Sequence, residues 1–157
     1  MKKMAPLLAL FCLCMFQGHA EQSVKPFQET ISKSPEEEML GTFGKLKWET
    51  EMDYAFERAK KEHKNVMIMV EEPQCKWCVK MKKGALSDKD VQVKLQAYVL
   101  LKVRRSDRDT IKQIEGFTSA IPSFHFMYPN KETIETVIGY FETEDFLGYL
   151  CEIETDN

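Results

Sequence analysis

From Trp48 onward the chain alternates short apolar runs with amphipathic stretches, and that alternation predicts an α/β domain. Met52, Ala55, Phe56 and Ala59 fall at i, i+3, i+4 and i+7, with Glu57, Lys60 and Lys61 on the other side; the spacing predicts a helix with one packed face, capped by Thr50. Val66 to Val70 is an unbroken apolar run of strand length between Lys64-Asn65 and Glu71-Glu72-Pro73, so it reads as a central strand covered on both faces. A second helix is expected to start at Cys75 and to end at Gly84, whose conformational freedom suits a helix terminus. Ser87 with Asp90 resembles a capping box that opens a third helix presenting Val91, Leu95 and Tyr98. Val99 to Val103 repeats the buried-strand pattern, and strand, helix, helix, strand implies a crossover to a parallel neighbour.

Beyond this unit a short helix around Thr110 to Glu115 is expected to end at Gly116. Ile121-Pro122 then leads into Ser123 to Tyr128, where Phe124, Phe126 and Tyr128 alternate with His125 and Met127. Pro129-Asn130-Lys131 reads as a turn and Thr133 to Ile138 as a second alternating strand, so the two form an antiparallel hairpin. Thr143, followed by Glu144 and Asp145, opens a last helix with Phe146, Leu147, Leu150 and Cys151 on one face. Cys151 is therefore expected to be a buried thiol, and Met67, Met69 and Met81 to be core filler rather than metal ligands. His125, between large aromatics, reads as an ordinary sheet residue.

The first forty-odd residues differ in kind. Lys2 and Lys3 precede an apolar run from Met4 to Phe16, and Gly18-His19-Ala20 offers small residues for cleavage, so residues 1–20 are expected to be a secretory signal peptide. The run is shorter than the roughly 20 apolar residues a membrane span needs, and Phe11-Cys12-Leu13 lacks the small residues that would mark Cys14 for lipidation. Residues 21–44 carry Pro26, Pro35, an acidic triplet and two glycines without a period, and are expected to form a linker or loosely ordered arm. The folded domain is then 45–157, in the periplasm or secreted. Loss of Lys2 and Lys3 takes the formal charge from −3 to −5, and no basic run is interleaved with aromatics, so nucleic acid is not an expected partner.

The expected mature chain keeps Cys75, Cys78 and Cys151. In an exported chain a close cysteine pair is either a structural disulfide or a redox couple. At a helix start, unpaired backbone N–H groups favour thiolate over thiol, which makes Cys75 of Cys75-Lys76-Trp77-Cys78 the better nucleophile. Lys76 and Lys80 add positive charge nearby; Glu71 and Glu72 oppose it. Cys78, almost one turn further in, is placed to resolve the mixed disulfide that Cys75 forms. A CxxC also occurs at haem and zinc sites and as a plain cross-link. Val79 stands where haem attachment needs His, and no second CxxC or suitably spaced His supplies zinc ligands, so neither metal nor cofactor is expected. A bridge spanning so little chain removes little entropy from the unfolded state, which leaves redox use as the leading reading.

With the apolar strand Val66 to Val70, the CxxC at a helix start, then Ala120-Ile121-Pro122-Ser123-Phe124 before a hairpin and a last helix, the chain resembles the thioredoxin superfamily over about residues 45 to 155. The resemblance implies a thioredoxin-like fold: a central mixed β-sheet flanked by helices, the CxxC at a helix N-terminus, and a cis-proline loop at Pro122 lying against it. It further implies that Ile121 and Pro122 bind a substrate's extended backbone, and that Trp77 either faces substrate or shields Cys78. Trp48, the Glu62-His63-Lys64-Asn65 approach and Cys-x-x-Cys-x-x-Met look most like exported, bacterial disulfide-handling members. That type implies an enzyme acting on protein thiols and disulfides, re-reduced by a protein donor such as a membrane thiol transporter, since no nicotinamide or flavin motif is present. Ile before the proline is similar to reducing thioredoxins. The chain departs from thioredoxin in Lys-Trp between the cysteines and in Met69, where thioredoxin has a buried Asp; Glu71 and Glu72 are the candidates to replace it. A disulfide oxidase or isomerase, and a non-catalytic thioredoxin-like binding module, remain open alternatives.

Overall fold

The computed structural model of the chain describes residues 46–155; the expected signal segment 1–20 and arm 21–44 lie outside the described residues. In chain order the elements are β1 (Trp48–Glu49), α1 (Met52–Glu62), β2 (Asn65–Glu71), α2 (Lys76–Lys83), a 3-10 turn (Ala85–Ser87), α3 (Lys89–Leu95), β3 (Tyr98–Arg104), α4 (Arg108–Ile111), β4 (Ser123–Met127), β5 (Thr133–Ile138) and α5 (Thr143–Thr155). The five strands form one mixed sheet in the order β1-β3-β2-β4-β5. β3 runs parallel to both β1 and β2, whereas β4 is antiparallel to β2 and to β5. This is the thioredoxin-like arrangement that the resemblance implied.

Alternation along the strands divides the core into two layers. Met67, Met69, Tyr98, Leu100, Phe124 and Phe126 point to the side covered by α2, α3 and α5, where Cys78, Met81, Leu95, Phe146 and Leu150 meet them. Val66, Ile68, Val70, Val99, Leu101 and Val103 point the other way, onto Met52, Ala55, Phe56 and Ala59 of α1. Both faces of β2 and β3 are therefore covered, which is why their sequences read as continuous apolar runs rather than alternating ones. Arg58 Nη1 meets Glu49 Oε1 at 2.6 Å and ties α1 to the edge strand β1.

Several local expectations are corrected. Glu51, not Thr50, precedes α1, and its side chain makes no capping bond. Asp88, not Ser87, caps α3, accepting from the N–H groups of Asp90 and Val91, while Ser87 Oγ donates to the Lys82 carbonyl. Tyr98 begins β3 instead of ending α3. Asp107 caps α4, which is shorter and earlier than the expected Thr110 to Glu115; the Gly116 that follows has a left-handed φ of +75°. On α5 the buried stripe is Phe146, Leu150 and Ile153, leaving Cys151 exposed rather than buried.

His125 is almost fully buried on β4, its Nε2 3.1 Å from Ser123 Oγ and its Nδ1 3.2 Å from Thr136 Oγ1. Burial pushes its imidazole down to about 4. The unfolded chain, with an ordinary value near 6.5, then binds a proton the native state refuses. Stability from this group is complete above about pH 6.5 and drains away as pH falls toward 4, by about 3 kcal/mol in total. Urea unfolding across this range should show that loss, and His125→Gln should flatten the slope; an unchanged slope in the variant would assign the acid sensitivity elsewhere.

Candidate active site

β2 delivers the chain to the site by ending at Glu71, after which Glu72-Pro73-Gln74 turns it into α2. Cys75 occupies the N-cap of α2 with extended backbone, its N–H donating to the Glu72 carbonyl at 3.1 Å. The Cys75 sulfur accepts from the Cys78 N–H at 3.1 Å, so it takes the place of a capping side-chain oxygen. Cys75 and Cys78 form a disulfide across Cα atoms 5.2 Å apart. The two sulfurs differ in access: Cys75 is partly exposed, and Cys78 is sealed in the core layer that also holds Met69, Met81 and Phe124. Once the bridge is reduced, the exposed sulfur will be the one at the positive end of the helix, where an anion is favoured.

Cys75 opens onto a cleft lined by Glu72, Pro73, Lys76, Trp77, Arg105 and Ile121. Of the residues singled out in the sequence, the structure brings Cys75, Trp77 and Ile121 to this cleft. The Ile121–Pro122 peptide is cis. Pro122 is buried behind the lining, and its carbonyl accepts from the Gly139 N–H at 2.9 Å, holding the loop to the end of β5. Trp77 is 57 % exposed and so belongs to the surface, with its ring centroid 5.5 Å from that of Tyr140. Lys80 Nζ lies 4.1 Å from the Tyr140 ring centroid and 3.2 Å from Glu142 Oε1. The Tyr140 hydroxyl, and after it the Glu142 carboxylate, hold this ammonium above its usual range.

Glu72 spends its carboxylate on the Ser106 N–H at 2.6 Å, locking the turn after β3 to the turn before α2. Tyr140 and Arg105 were not singled out in the sequence, because only tertiary structure brings them to α2. A clearer signal was available for Lys102, which interrupts the apolar run of β3 and is nevertheless buried. Among the described residues no three His, Cys, Asp or Glu side chains converge as metal ligands would.

The family model Thioredox_DsbH, described as a protein of unknown function (DUF255), matches residues 42–145. The chain belongs to the Thioredox_DsbH family. Among solved structures, a thioredoxin from Thermus thermophilus aligns with a TM-score of 0.61 at 23 % identity, over 69 % of this chain and 86 % of that one. A DsbH oxidoreductase aligns with a TM-score of 0.58 at 14 % identity, over 87 % of this chain and 94 % of that one. The C-terminal domain of Neisseria meningitidis DsbD, in its oxidised form, aligns with a TM-score of 0.54 at 16 % identity, over 64 % and 90 % respectively. No curated protein matches the chain significantly. At these identities the neighbours establish the fold that this Thioredox_DsbH member shares.

Proposed function

We propose that the protein is an exported thiol–disulfide oxidoreductase that reduces protein disulfides through Cys75. The observation that carries this reading is the unequal pair of sulfurs: one partly exposed at a helix N-cap in an open cleft, the other buried one turn behind it. The Cys75 thiolate attacks a substrate disulfide and forms a mixed disulfide, releasing one substrate thiol; Cys78 then attacks Cys75, and the second substrate thiol leaves. Two electrons pass to the substrate and the enzyme becomes the Cys75–Cys78 disulfide. A protein donor restores the dithiol, and a membrane thiol transporter fits an exported reductase. Ile121 presents backbone to the substrate chain, the cis-Pro122 behind it fixes the loop that carries it, and exposed Trp77 supplies an apolar contact. Residues 1–20 direct export and are removed, residues 21–44 serve as an arm, and the domain from residue 45 carries the chemistry.

The mature protein should reduce insulin with dithiothreitol as electron source. An equilibrium titration against glutathione then sets direction: a potential near that of thioredoxin supports a reductase, and one close to the strongly oxidising end supports an oxidase. N-terminal sequencing of the processed protein should begin near Glu21, and an unprocessed chain retained inside the cell would refute export. Trp77→Ala should raise KM for insulin roughly fivefold with kcat little changed, as expected for one exposed aromatic contact worth about 1 kcal/mol. An equal fall in kcat at constant KM would place Trp77 in the chemistry instead.

A further inference from the structure

The cleft that holds Cys75 does not end at Arg105. Glu72 and Arg105 line that cleft and also a second groove, which continues past them along α4 and the loop before β4, with Arg108, Ile111, Lys112 and Phe117 among its walls. Arg105 stands at the junction. Its Nη1 donates to the Ser119 carbonyl across 3.5 Å, a long bond two residues before Ile121, and most of its other N–H donors have no protein partner among the described residues. The guanidinium thus sits against the same loop that brings Ile121 to the Cys75 cleft.

Cleft and groove together are lined by four cations, Lys76, Arg105, Arg108 and Lys112, and by one carboxylate, Glu72. Glu72 is committed to the Ser106 N–H at 2.6 Å. Lys112 is balanced by Asp109, with 3.2 Å between Nζ and Oδ1, and the nearby Asp107 accepts from the Thr110 N–H at 3.2 Å. Lys76, Arg105 and Arg108 are exposed and have no acidic partner among the described residues. The chain as a whole carries a formal charge of −3, so this strip is opposite in sign to the protein that bears it. Half-buried Ile111 and Phe117 pack onto the core layer under α1 and place apolar surface between the cations. A concave surface lined by one sign of charge raises the local concentration of partners of the other sign.

Continuity identifies the occupant. Whatever sets a disulfide sulfur on Cys75 beside Ile121 is an extended protein chain, and its neighbouring residues run on into the groove. We propose that the groove past Arg105 binds an acidic segment on one flank of the substrate's reacting cysteine, so that the enzyme selects protein disulfides with Asp and Glu beside them. This rests on the reading of the cysteine pair as a disulfide reductant. Arg105 and Arg108 supply planar forks that match carboxylates, and Lys76 adds charge at the near end. Ile111 and Phe117 receive the apolar parts of the segment. These residues hold the chain rather than the sulfurs and determine specificity through encounter and binding.

The test mixes the reduced mature protein, freed of reductant, with short peptides joined through a single cysteine as symmetrical disulfides. Two electrons pass to each peptide disulfide, the enzyme closes Cys75–Cys78, and two peptide thiols are released. The peptides carry a run of Glu, of Gln or of Lys, placed before or after the cysteine. At low salt the Glu peptide of one flank should react roughly tenfold faster than its Lys counterpart, with Gln between them. That ratio should fall toward one at about 1 M salt, where the screening length is about 3 Å. Arg105→Gln and Arg108→Gln should each cut the low-salt ratio roughly threefold. Lys61→Gln, at the end of α1 where the chain turns into β2 and so remote from α2, should keep the wild-type ratio. Equal rates for Glu and Lys peptides, a preference of the same size on both flanks, or one that both arginine variants retain overturns the acidic-segment groove and leaves the proposed activity standing. Oxidised glutathione serves as a small dicarboxylate: a rate that falls in both arginine variants while the peptides show no preference assigns the cations to such a ligand and overturns the segment. A dimer that Arg108→Gln dissociates gives the groove to a second copy of the chain and overturns it likewise. A reduced wild-type protein that transfers electrons to none of these disulfides overturns both readings.

Discussion

Cys75→Ser should abolish insulin reduction, and Cys78→Ser should stop the reaction after a single attack on each enzyme molecule. The asymmetry follows from placement. Cys75 is the partly exposed sulfur, lies at the mouth of the cleft and occupies the N-cap of α2, where its charge is stabilised by the helix end. A serine hydroxyl there is not ionised at neutral pH and forms no mixed disulfide, so turnover should fall below detection. Cys78 is fully buried and cannot itself meet a protein substrate, but without it the mixed disulfide on Cys75 has no internal thiol to resolve it. Cys78→Ser should therefore accumulate a covalent enzyme–substrate adduct, seen as a mass increase that dithiothreitol reverses. Cys151 is exposed and able to form adducts of its own, so the experiment belongs in a Cys151→Ser background, which should keep full activity. An adduct that forms equally well on Cys75→Ser in that background, or unimpaired turnover by Cys75→Ser, would refute the assignment.

What was legible in the sequence was whatever depends on period and on local chemistry. The apolar runs of β2 and β3 announced strands covered twice, and Cys-x-x-Cys before an amphipathic stretch announced a helix start. The sequence before β4 marked the proline loop. Errors cluster where two neighbouring residues compete for one local task. Ser87 and Asp88 both suit an N-cap, and the carboxylate of Asp88, accepting two N–H groups, takes the role while Ser87 bonds back to Lys82. On α5 the apolar positions Phe146, Leu147, Leu150 and Cys151 spread over a wide arc; the core takes the line through Phe146, Leu150 and Ile153, and Cys151 falls outside it.

The site's electrostatics were hidden for a different reason. Lys82 in a lysine-rich helix looks like a solvated face until β2 is known to pass beneath it with Glu71. Lys102 looks like a break in an apolar strand until the register puts it beside Met69. Lys80 finds Glu142, a residue 62 positions away, together with the Tyr140 ring beside Trp77. Each of these contacts depends on the docking of one element onto another, which no periodicity encodes. The exposed and core-facing sides of α2 thus carry different charge arrangements, and of the exposed one only the lysines were anticipated.

Phe146→Ala should destabilise the domain by about 3–5 kcal/mol, with little change in the glutathione equilibrium of the cysteine pair. Phe146 has no exposed surface and anchors α5 to the sheet. Its ring centroid lies 4.9 Å from Phe124 and 6.3 Å from Phe141, and Leu150 and Ile153 continue the same stripe. Truncation removes the apolar transfer energy of the ring and leaves a cavity that helix and sheet can close only in part. Against a total stability of about 5–15 kcal/mol for a domain of this size, that loss is large enough to show as a marked fall in the urea midpoint. Part of it belongs to the aromatic pair: a double-mutant cycle with Phe124→Leu should give a coupling of about 1 kcal/mol. Phe146 is on α5 while the reacting sulfurs are set by α2, so below the unfolding transition the couple should keep its potential. A loss under about 1 kcal/mol would mean that α5 contributes little to the cohesion of the core; a shifted potential in the folded variant would mean that α5 docking controls the position of α2 and hence the sulfurs themselves.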